Sequence, residues 1–271
     1  MKNILITGCS SGIGYDCAIY LKQHGFKVYA TARKKEDVER LQHEGFESYL
    51  LDVRYADTIK NVLDIIIKQD GFLYAVFNNA GFGQPGALED ITTDVLKEQF
   101  ETNLFGLHEV TYQTLKIMRK QGYGRIMQHS SILGLISLRF RGVYNASKYA
   151  IEGLSDTLRL ELAKTDIYVS TINTGPIRSD FRKNAIKKFK QNIDIKNSIF
   201  KKEYETQLSD TKEKDDDIFT QNSDKVIKNI IHALTSSKPK PRYYNTSATY
   251  ILATFKRVLP TSWLDKILVK I

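Results

Sequence analysis

Short apolar runs alternate with longer amphipathic stretches along most of the chain. The short runs are rich in residues of high β-propensity and are bounded by turn residues, which favours buried strands. In the longer stretches apolar residues recur every three or four positions, which predicts helices. The predicted strands are NILIT (3–7), KVYAT (27–31), SYLLD (48–52), YAVFN (74–78), RIMQHS (125–130) and YVSTIN (168–173), with a last strand near Arg242 to Tyr244.

Predicted helices separate these strands, among them residues 15–24, 58–69 and 94–118. Repeated strand–helix–strand units require right-handed crossovers and build a parallel sheet with helices on both faces. We therefore predict an α/β protein with a single-domain, Rossmann-type doubly wound sheet. Such folds bind ligands beyond the carboxyl ends of the strands, so the loops at those ends are the candidate site.

The chain divides into a main domain and a C-terminal addition. We expect residues 1–245 to form the domain, with a substrate lid at about 180–220, and residues 246–271 to form two short amphipathic helices separated at Pro260. We expect these helices to cap the pocket or to contact another subunit, because such helices most often bury their apolar face internally. The alternative is a peripheral contact with a membrane surface, since Trp263 and its flanking lysines suit an interface.

Composition narrows the class of protein. A chain of 271 residues, 42% of them hydrophobic, is long enough for one globular domain with a sizeable core. Cys9 and Cys17 lack metal-ligand spacing, and the chain enters an apolar β-like segment at once, so we expect reduced thiols, no signal peptide and a cytoplasmic location. Much of the net charge of +9 lies between Arg182 and Lys202, where it reads as a solvated helical face without a nucleic-acid-binding motif.

A glycine-rich turn, TGCSSGIG at residues 7–14, lies between the first strand and the first helix. Gly8, Gly12 and Gly14 permit a tight turn and a close approach of the backbone to a pyrophosphate at the helix N-terminus. The position of this turn predicts a dinucleotide site. Its glycines are spaced more widely than in the common dinucleotide fingerprint.

Further motifs follow in order. NNAG (78–81) follows the fourth strand, Asn103 lies in the next helix, Ser130 and Ser131 follow the fifth strand, and YNASK spans 144–148. In order and spacing these motifs resemble the classical short-chain dehydrogenases/reductases over roughly the first 180 residues. The whole chain is similar to a bacterial branch of that family, related to 17β-hydroxysteroid and retinol dehydrogenases and assigned to NADP-dependent aldehyde reduction.

Two tyrosine–lysine pairs have the same spacing of four residues, Tyr112 with Lys116 and Tyr144 with Lys148. In the family the catalytic serine precedes the tyrosine by thirteen positions, which gives a serine only for Tyr144. YQTLK is therefore interpreted as an ordinary helical pair. The catalytic set implied by the resemblance is Asn103, Ser131, Tyr144 and Lys148.

Carbonyl reduction by hydride places negative charge on the carbonyl oxygen, so the site needs a proton donor and an oxyanion stabiliser. The resemblance implies that Tyr144 is the general acid/base and that Ser131 hydrogen-bonds the substrate oxygen. We expect Lys148 and the cationic oxidised nicotinamide to lower the pKa of Tyr144 from a free value of about 10. Lys148 is also expected to hold the nicotinamide ribose, and Asn103 to bind a water that links Lys148 to solvent.

The end of the second strand distinguishes between the two dinucleotides. NAD-binding sheets place an acidic residue there, whereas this chain has Thr31 followed by Arg33, and arginine offers a planar fork of donors to a phosphate. By resemblance Arg33 and Ser10 would hold the 2′-phosphate of NADP(H), and Asp52 would accept a bond from the adenine amine. No metal is expected. The implied cofactor contacts are Gly8, Ser10, Ser11, Gly12, Ile13, Gly14, Arg33, Asp52, Val53, Asn79, Ala80, Gly81, Tyr144, Lys148, Gly175, Pro176, Ile177 and Ser179.

The loop after the sixth strand departs from the related enzymes. They usually carry Pro-Gly-Pro and a threonine, whereas this chain has Thr174 at the first proline and Ser179 at the threonine. The serine keeps a hydroxyl for the nicotinamide carboxamide, but the loss of a proline is expected to free the backbone of the loop.

The motifs favour NADPH-dependent reduction of apolar aldehydes or ketones, reversible as an alcohol dehydrogenase. Hydroxysteroid, retinol and 3-oxoacyl substrates are alternatives within the enzyme class. An NADP-sensing binding protein is the non-enzyme alternative, although all four catalytic positions are filled. By analogy with the family, we expect a homodimer or homotetramer formed through the helices that bear Asn103 and Tyr144.

Overall fold

A parallel sheet forms the centre of the fold. The computed structural model describes residues 1–178, 180–210 and 222–271. Within these ranges the strands are β1 (Asn3–Ile6), β2 (Lys27–Ala32), β3 (Glu47–Leu50), β4 (Ala75–Asn78), β5 (Tyr123–Ser131), β6 (Asp166–Thr174) and β7 (Arg242–Tyr244). All neighbours pair in parallel, in the order β3-β2-β1-β4-β5-β6-β7, which confirms the doubly wound fold.

Helices connect these strands and cover both faces of the sheet. They are α1 (Gly12–Gln23), α2 (Lys35–His43), α3 (Ala56–Asp70), α4 (Thr93–Phe100), α5 (Leu107–Gln121), α6 (Gly142–Glu161), α7 (Phe181–Asn192), α8 (Lys201–Asp210), α9 (Asp224–Thr235), α10 (Ser247–Val258) and α11 (Thr261–Leu268). None of these helices combines the length and the apolar character that crossing a bilayer requires, as far as the described ranges go.

The sheet separates two apolar cores because successive side chains of a strand point to opposite faces. Ile4 and Ile6 pack with residues of α1 and α9 on one face, whereas Leu5 packs with residues of α3 and α5 on the other. Successive residues of the central strands are therefore buried, whichever face they point to. This explains why β1 and β4 appear in the sequence as continuous apolar runs rather than alternating ones.

The stretch predicted as one helix over 94–118 is interrupted. A π-helical turn at Glu101–Gly106 separates α4 from α5. Within it, the Asn103 side chain accepts a hydrogen bond from the Phe82 amide at 3.0 Å and donates one to the Phe82 carbonyl at 2.9 Å. Such turns insert one extra residue into a helix and are frequent at functional sites. This insertion is local, so the apolar periodicity of the stretch did not reveal it.

The predicted lid and the C-terminal addition both contain helices. Helices α7 and α8 lie within residues 181–210 and are joined by residues 193–200. Residues 211–220 of the predicted lid lie outside the described residues. Phe189 of α7 is buried against Tyr204 of α8, as expected for a core contact. Helices α10 and α11 are separated at Pro260, as predicted.

Candidate active site

The glycine-rich turn packs directly against the NNAG segment. Gly8 has φ +72°, and a Cβ added there would lie 2.9 Å from Cα of Ala80. Thr7 fixes the contact, because its hydroxyl accepts hydrogen bonds from the amides of Asn79 and Ala80, both at 3.0 Å. A side chain on Gly14 would collide with Asn79. The sequence therefore needs glycine here to bring the two predicted cofactor loops together.

The N-terminus of α1 fits the pyrophosphate of a dinucleotide. Ser11 occupies the N-cap position without a side-chain hydrogen bond to the helix, and the first turn carries no acidic residue. The free N–H groups and the helix dipole therefore favour an anion at this end. Arg40 of α2, which the sequence did not single out, donates to the Ser10 carbonyl at 2.7 Å and so ties α2 to the turn.

The carboxyl ends of β2 and β3 hold the residues predicted to select the cofactor. Thr31 is buried and donates to the Ile6 carbonyl at 3.0 Å, whereas Arg33 is exposed just beyond it. Asp52 does not stand alone. Arg54 forms a two-pronged ion pair with it, with an Nη2–Oδ2 distance of 2.6 Å, and this contact lowers the pKa of Asp52. Arg54 therefore neutralises the Asp52 carboxylate that was predicted to accept a hydrogen bond from the adenine, and no motif in the sequence pointed to this pairing.

The NNAG asparagines have different surroundings. Asn78 is buried and donates to Thr111 and Gln128 at 2.9 and 2.8 Å, which agrees with a structural role. Asn79 donates to the carbonyls of Thr7 and Gly8, both at 2.9 Å, at the edge of the glycine-rich turn. Asn79 therefore belongs to the predicted cofactor site.

Three of the four predicted catalytic side chains converge at the end of β5. Ser131 closes this strand, and Tyr144 and Lys148 lie one turn apart on α6. The Ser131 hydroxyl donates to the Thr174 carbonyl at 3.3 Å, and it lies close enough to the Tyr144 hydroxyl to act to lower the pKa of Tyr144. The Lys148 Nζ lies 5.5 Å from the centre of the Tyr144 ring. This arrangement places a proton donor, a hydrogen-bond donor and a cation together.

The expected lowering of the pKa of Tyr144 is wrong for the protein alone. Protein atoms surround the phenol group although part of the ring is exposed, and this desolvation raises the pKa of Tyr144 far more than the Ser131 hydroxyl lowers it. In the protein alone, Lys148 does not offset this rise in the pKa of Tyr144. Its ammonium donates to the His129 carbonyl at 2.6 Å, and burial lowers its own pKa to about 8.

Asn103 contacts the site from the opposite side. Besides its two bonds to Phe82, its amide donates to Ser147 Oγ at 3.3 Å, which links the π-helical turn to α6 beside Lys148. A side chain on Gly81 would approach the Asn103 Oδ1 to 3.0 Å. The structure therefore brings Asn103 between the NNAG segment and the catalytic helix. Its predicted water link to Lys148 stays a prediction.

His129 connects two of the cofactor loops, and the sequence analysis missed it. Its Nδ1 lies 3.0 Å from the Asn79 Oδ1, and its Nε2 lies 3.2 Å from the Thr174 Oγ1. The Asn79 amide nitrogen already donates to two carbonyls, so we assign the proton to Nδ1 and the acceptor role to Nε2. Burial lowers the pKa of His129 to about 3, which keeps the ring neutral.

Side-chain contacts hold the chain in place where β6 leads into the following loop, despite the missing proline. Thr174 is the last residue of β6 and contacts both His129 and the Ser130 carbonyl. Gly175 lies against Thr246, so a side chain there would collide with the cap of α10. Thr174 itself is therefore held by contacts, whereas the freed backbone of the rest of the loop stays a prediction. Ser179, predicted to contact the cofactor, lies outside the described residues.

The YQTLK pair lies away from this site. Tyr112 is exposed on α5, with the Lys116 Nζ 3.8 Å from the centre of its ring, as expected for an ordinary helical pair. In contrast, the Tyr144 ring makes an edge contact with Phe181 of α7 at 5.5 Å between centroids. The lid helix therefore packs against the candidate catalytic residue.

Comparisons with known proteins agree with this geometry. The family model described as short chain dehydrogenase matches residues 2–190. The uncharacterized oxidoreductase YbbO of Escherichia coli (strain K12) is 41% identical over 268 residues, covering 98% of this chain and 94% of the relative. The 17-beta-hydroxysteroid dehydrogenase type 1 of Homo sapiens is 30% identical over 258 residues, covering 90% and 77%. The crystal structure of a short-chain dehydrogenase from Streptomyces avermitilis matches with a TM-score of 0.77 at 26% identity, covering 98% and 94%.

Proposed function

Because the chain belongs to the short-chain dehydrogenase family, we propose that it reduces apolar aldehydes and ketones to alcohols with NADPH and catalyses the reverse oxidation. At the level of the family, the chain is an oxidoreductase that acts on CH–OH and carbonyl groups and uses a nicotinamide cofactor. One observation carries the finer proposal. The Ser131 hydroxyl, the Tyr144 phenol and the Lys148 ammonium meet at the carboxyl end of β5, where such a sheet binds its ligand.

The side chains divide the work of carbonyl reduction. Ser131 would donate a hydrogen bond to the substrate oxygen, and Tyr144 would transfer its proton to the same atom. A bound NADPH would supply the hydride. Because burial raises the pKa of Tyr144, the phenol keeps its proton at neutral pH, which is the state that reduction requires. The Lys148 ammonium would stabilise the tyrosinate that remains after the transfer.

The charges at the ends of β2 and β3 support NADPH over NADH. Thr31 is buried at the position where NAD-binding sheets carry an acid, and the exposed Arg33 follows it. The nearby carboxylate of Asp52 is paired with Arg54, so its charge would not oppose a 2′-phosphate. The positive charge of Arg33 also acts to lower the pKa of Asp52, which shows that the two groups lie in the same region.

The surroundings of Tyr144 support an apolar substrate. Phe181 packs edge-on against the Tyr144 ring and also contacts the backbone at Gly83, where a Cβ would lie 2.8 Å from its ring. Behind Phe181, residues of α7 and α8 form a separate apolar cluster around Phe189 and Tyr204. A lid with this lining favours aldehydes and ketones with hydrocarbon groups.

Two other functions fit parts of the molecule. The similarity to a 17-beta-hydroxysteroid dehydrogenase favours hydroxysteroid or retinol-type substrates as the alternative within the enzyme class, with 3-oxoacyl compounds as a further possibility. A protein that senses NADP without turnover is the alternative outside the enzyme class.

We also propose a cytoplasmic location, which the two free, buried cysteines support.

Oxidation of NADPH and NADH across a panel of aldehydes, ketones, steroids and 3-oxoacyl thioesters tests the proposal. We expect turnover with NADPH and apolar aldehydes or ketones, and a loss of at least ~10²-fold in kcat for Tyr144→Phe, the low end of what a positioned acid provides. Tyr112→Phe removes the same hydroxyl from the matching tyrosine–lysine pair and should leave kcat unchanged. NADPH binding without turnover on any carbonyl compound would favour the sensor. Equal activity of the two variants would refute the assigned role of Tyr144.

A further inference from the structure

Helices α10 and α11 have a buried inner side and an exposed outer side. The inner side covers the turn that follows Ser131, as expected for a cap, and it packs against Ile132 and Ile136. Both helices contribute to this contact, so both turn their other side to solvent. The residues of the inner side are Leu252, Phe255, Leu259, Leu264 and Leu268.

The outer side exposes apolar residues among polar and basic ones. Ile251 and Val258 of α10 are seven residues apart and share one side of the helix, and Tyr250 lies next to Ile251. Trp263 in α11 and Val269 just after it follow. Each of these five side chains is between 50% and 66% exposed. Single exposed apolar residues are normal on a protein surface, but five within one short helical pair mark a candidate interaction surface.

Basic residues accompany this patch. Residues 246–271 contain four basic side chains and one acidic side chain, Asp265. The basic ones are all exposed: Lys256, Arg257, Lys266 and Lys270. A partner must therefore accept apolar side chains and positive charge together.

These two properties decide between the possible partners. A second copy on a two-fold axis would bring the same four cations of each chain against each other, which is unfavourable. A nucleic acid would pair with the cations but would not bury the apolar side chains. An anionic lipid surface accepts both, because apolar side chains enter the headgroup region while lysine and arginine meet the lipid phosphates. We propose that the outer side of α10 and α11 docks on an anionic lipid surface.

The neighbouring surface extends this apolar face towards the lid. Lys256 borders a cavity of about 850 Å³ whose walls include Leu88, Phe140 and Phe200. Leu88 is 68% exposed, and Ile199, next to Phe200 in the chain, is 79% exposed. The cavity therefore opens beside the proposed docking side, between α10 and the lid.

Trp263 makes the proposal directly measurable, because it is the single tryptophan of the chain. The full chain is mixed with vesicles of phosphatidylcholine alone or of phosphatidylcholine with phosphatidylglycerol, and tryptophan emission and vesicle co-sedimentation are recorded. We expect a blue shift and co-sedimentation with the anionic vesicles, and both effects should weaken as salt is added. Absence of both with either vesicle would overturn the proposal.

Variants separate the charge contribution from the apolar one. Lys266→Gln with Lys270→Gln should weaken partitioning roughly 30-fold, since each lysine contributes about 1 kcal/mol near such a surface. The control, Lys68→Gln with Lys120→Gln, removes equal charge from the last turns of α3 and α5, outside α10 and α11, and should bind as wild type. The double variant Ile251→Ser, Val258→Ser should also bind the anionic vesicles weakly, and it keeps Trp263 as the fluorescent reporter.

Two outcomes would contradict lipid docking in favour of another partner. A blue shift that grows with protein concentration in the absence of lipid would identify a second copy of the chain as the occupant. If the lysine pair and its control weaken vesicle binding equally, then binding depends only on net charge, as expected for a nucleic-acid-binding surface. None of these measurements depends on catalysis, so they test lipid docking whatever the substrate is.

Discussion

The environment of Lys148 sets the pH range in which the site can work. Burial lowers the pKa of Lys148 to about 8, and the charge of Glu152 partly opposes this effect. Lys148 is therefore cationic at neutral pH and loses its charge within the range in which enzymes are commonly assayed. The tyrosinate formed during reduction needs that charge, because burial alone makes ionisation of Tyr144 unfavourable.

We expect kcat/KM for carbonyl reduction, at saturating NADPH, to be constant between about pH 6 and 7 and to fall as Lys148 deprotonates near its pKa of about 8. Glu152→Gln removes a charge that raises the pKa of Lys148, so the fall should begin at lower pH. Glutamine keeps the shape of a residue that contacts Asn173 at 2.6 Å and Arg242 at 2.9 Å. pH–rate profiles measured from pH 6 to 10 check the direction of the change.

Asp156→Asn is the matched control. Asp156 contacts the same Arg242 at 2.5 Å but is not among the charges that shift the pKa of Lys148. Its profile should follow that of wild type. A profile of Glu152→Gln that moves to higher pH, or that coincides with the control, would show that another group governs the fall.

The identities of the site residues were predictable from the sequence, whereas their surroundings were not. The resemblance to the family implied Ser131, Tyr144 and Lys148, and the structure brings these side chains together at a strand end and on one side of a helix. The direction of the pKa shift of Tyr144 depends on protein atoms from distant segments, such as Phe181 in the lid. Arg54 beside Asp52 was missed because an arginine two residues from an acid is common on protein surfaces.

At the scale of elements, the ends of β5 and β6 are joined by side chains as well as by the ladder. Ser131 and Thr174 are paired residues at the last rung of these strands. The His129 ring continues the connection from Thr174 to Asn79 on the next loop. One imidazole therefore couples the start of the loop after β6 to the NNAG segment. The strand patterns were visible in the sequence, but this bridge joins residues far apart in the chain.

We expect Thr174→Val to lower the free energy of unfolding by about 1 to 3 kcal/mol, because it leaves the buried Nε2 of His129 without its donor. Since Asn79 is a predicted cofactor contact, KM for NADPH should rise more than kcat falls. Urea unfolding and steady-state kinetics measure the two effects. Thr235→Val is the control, because it removes a threonine hydroxyl that bonds only within α9, to the Ile231 carbonyl at 2.8 Å. If the two variants behave alike, the bridge has no role in cofactor binding.

At the scale of the whole molecule, the charge and the exposed apolar residues are unevenly distributed. Basic residues are concentrated between Arg182 and Lys202 and in the C-terminal addition, and these two stretches account for much of the net charge of +9. A different surface, around α5 and α6, exposes several large apolar side chains. Phe105 and Tyr112 lie exposed near one end of it, and Leu154 lies exposed on α6. The two surfaces therefore favour different kinds of partner.

We propose that the apolar surface of α5 and α6 pairs two copies of the chain, as expected from the family. A two-fold contact of this kind would bury Leu154 and Tyr112 and would hold α6, with Tyr144 and Lys148, rigidly in place. Leu154→Glu should convert a dimer to a monomer in size-exclusion chromatography with light scattering, because two buried carboxylates would face each other. Ile199→Glu places the same charge at an equally apolar, exposed lid residue and should leave the dimer intact. A wild-type protein that is monomeric at micromolar concentration would refute the pairing.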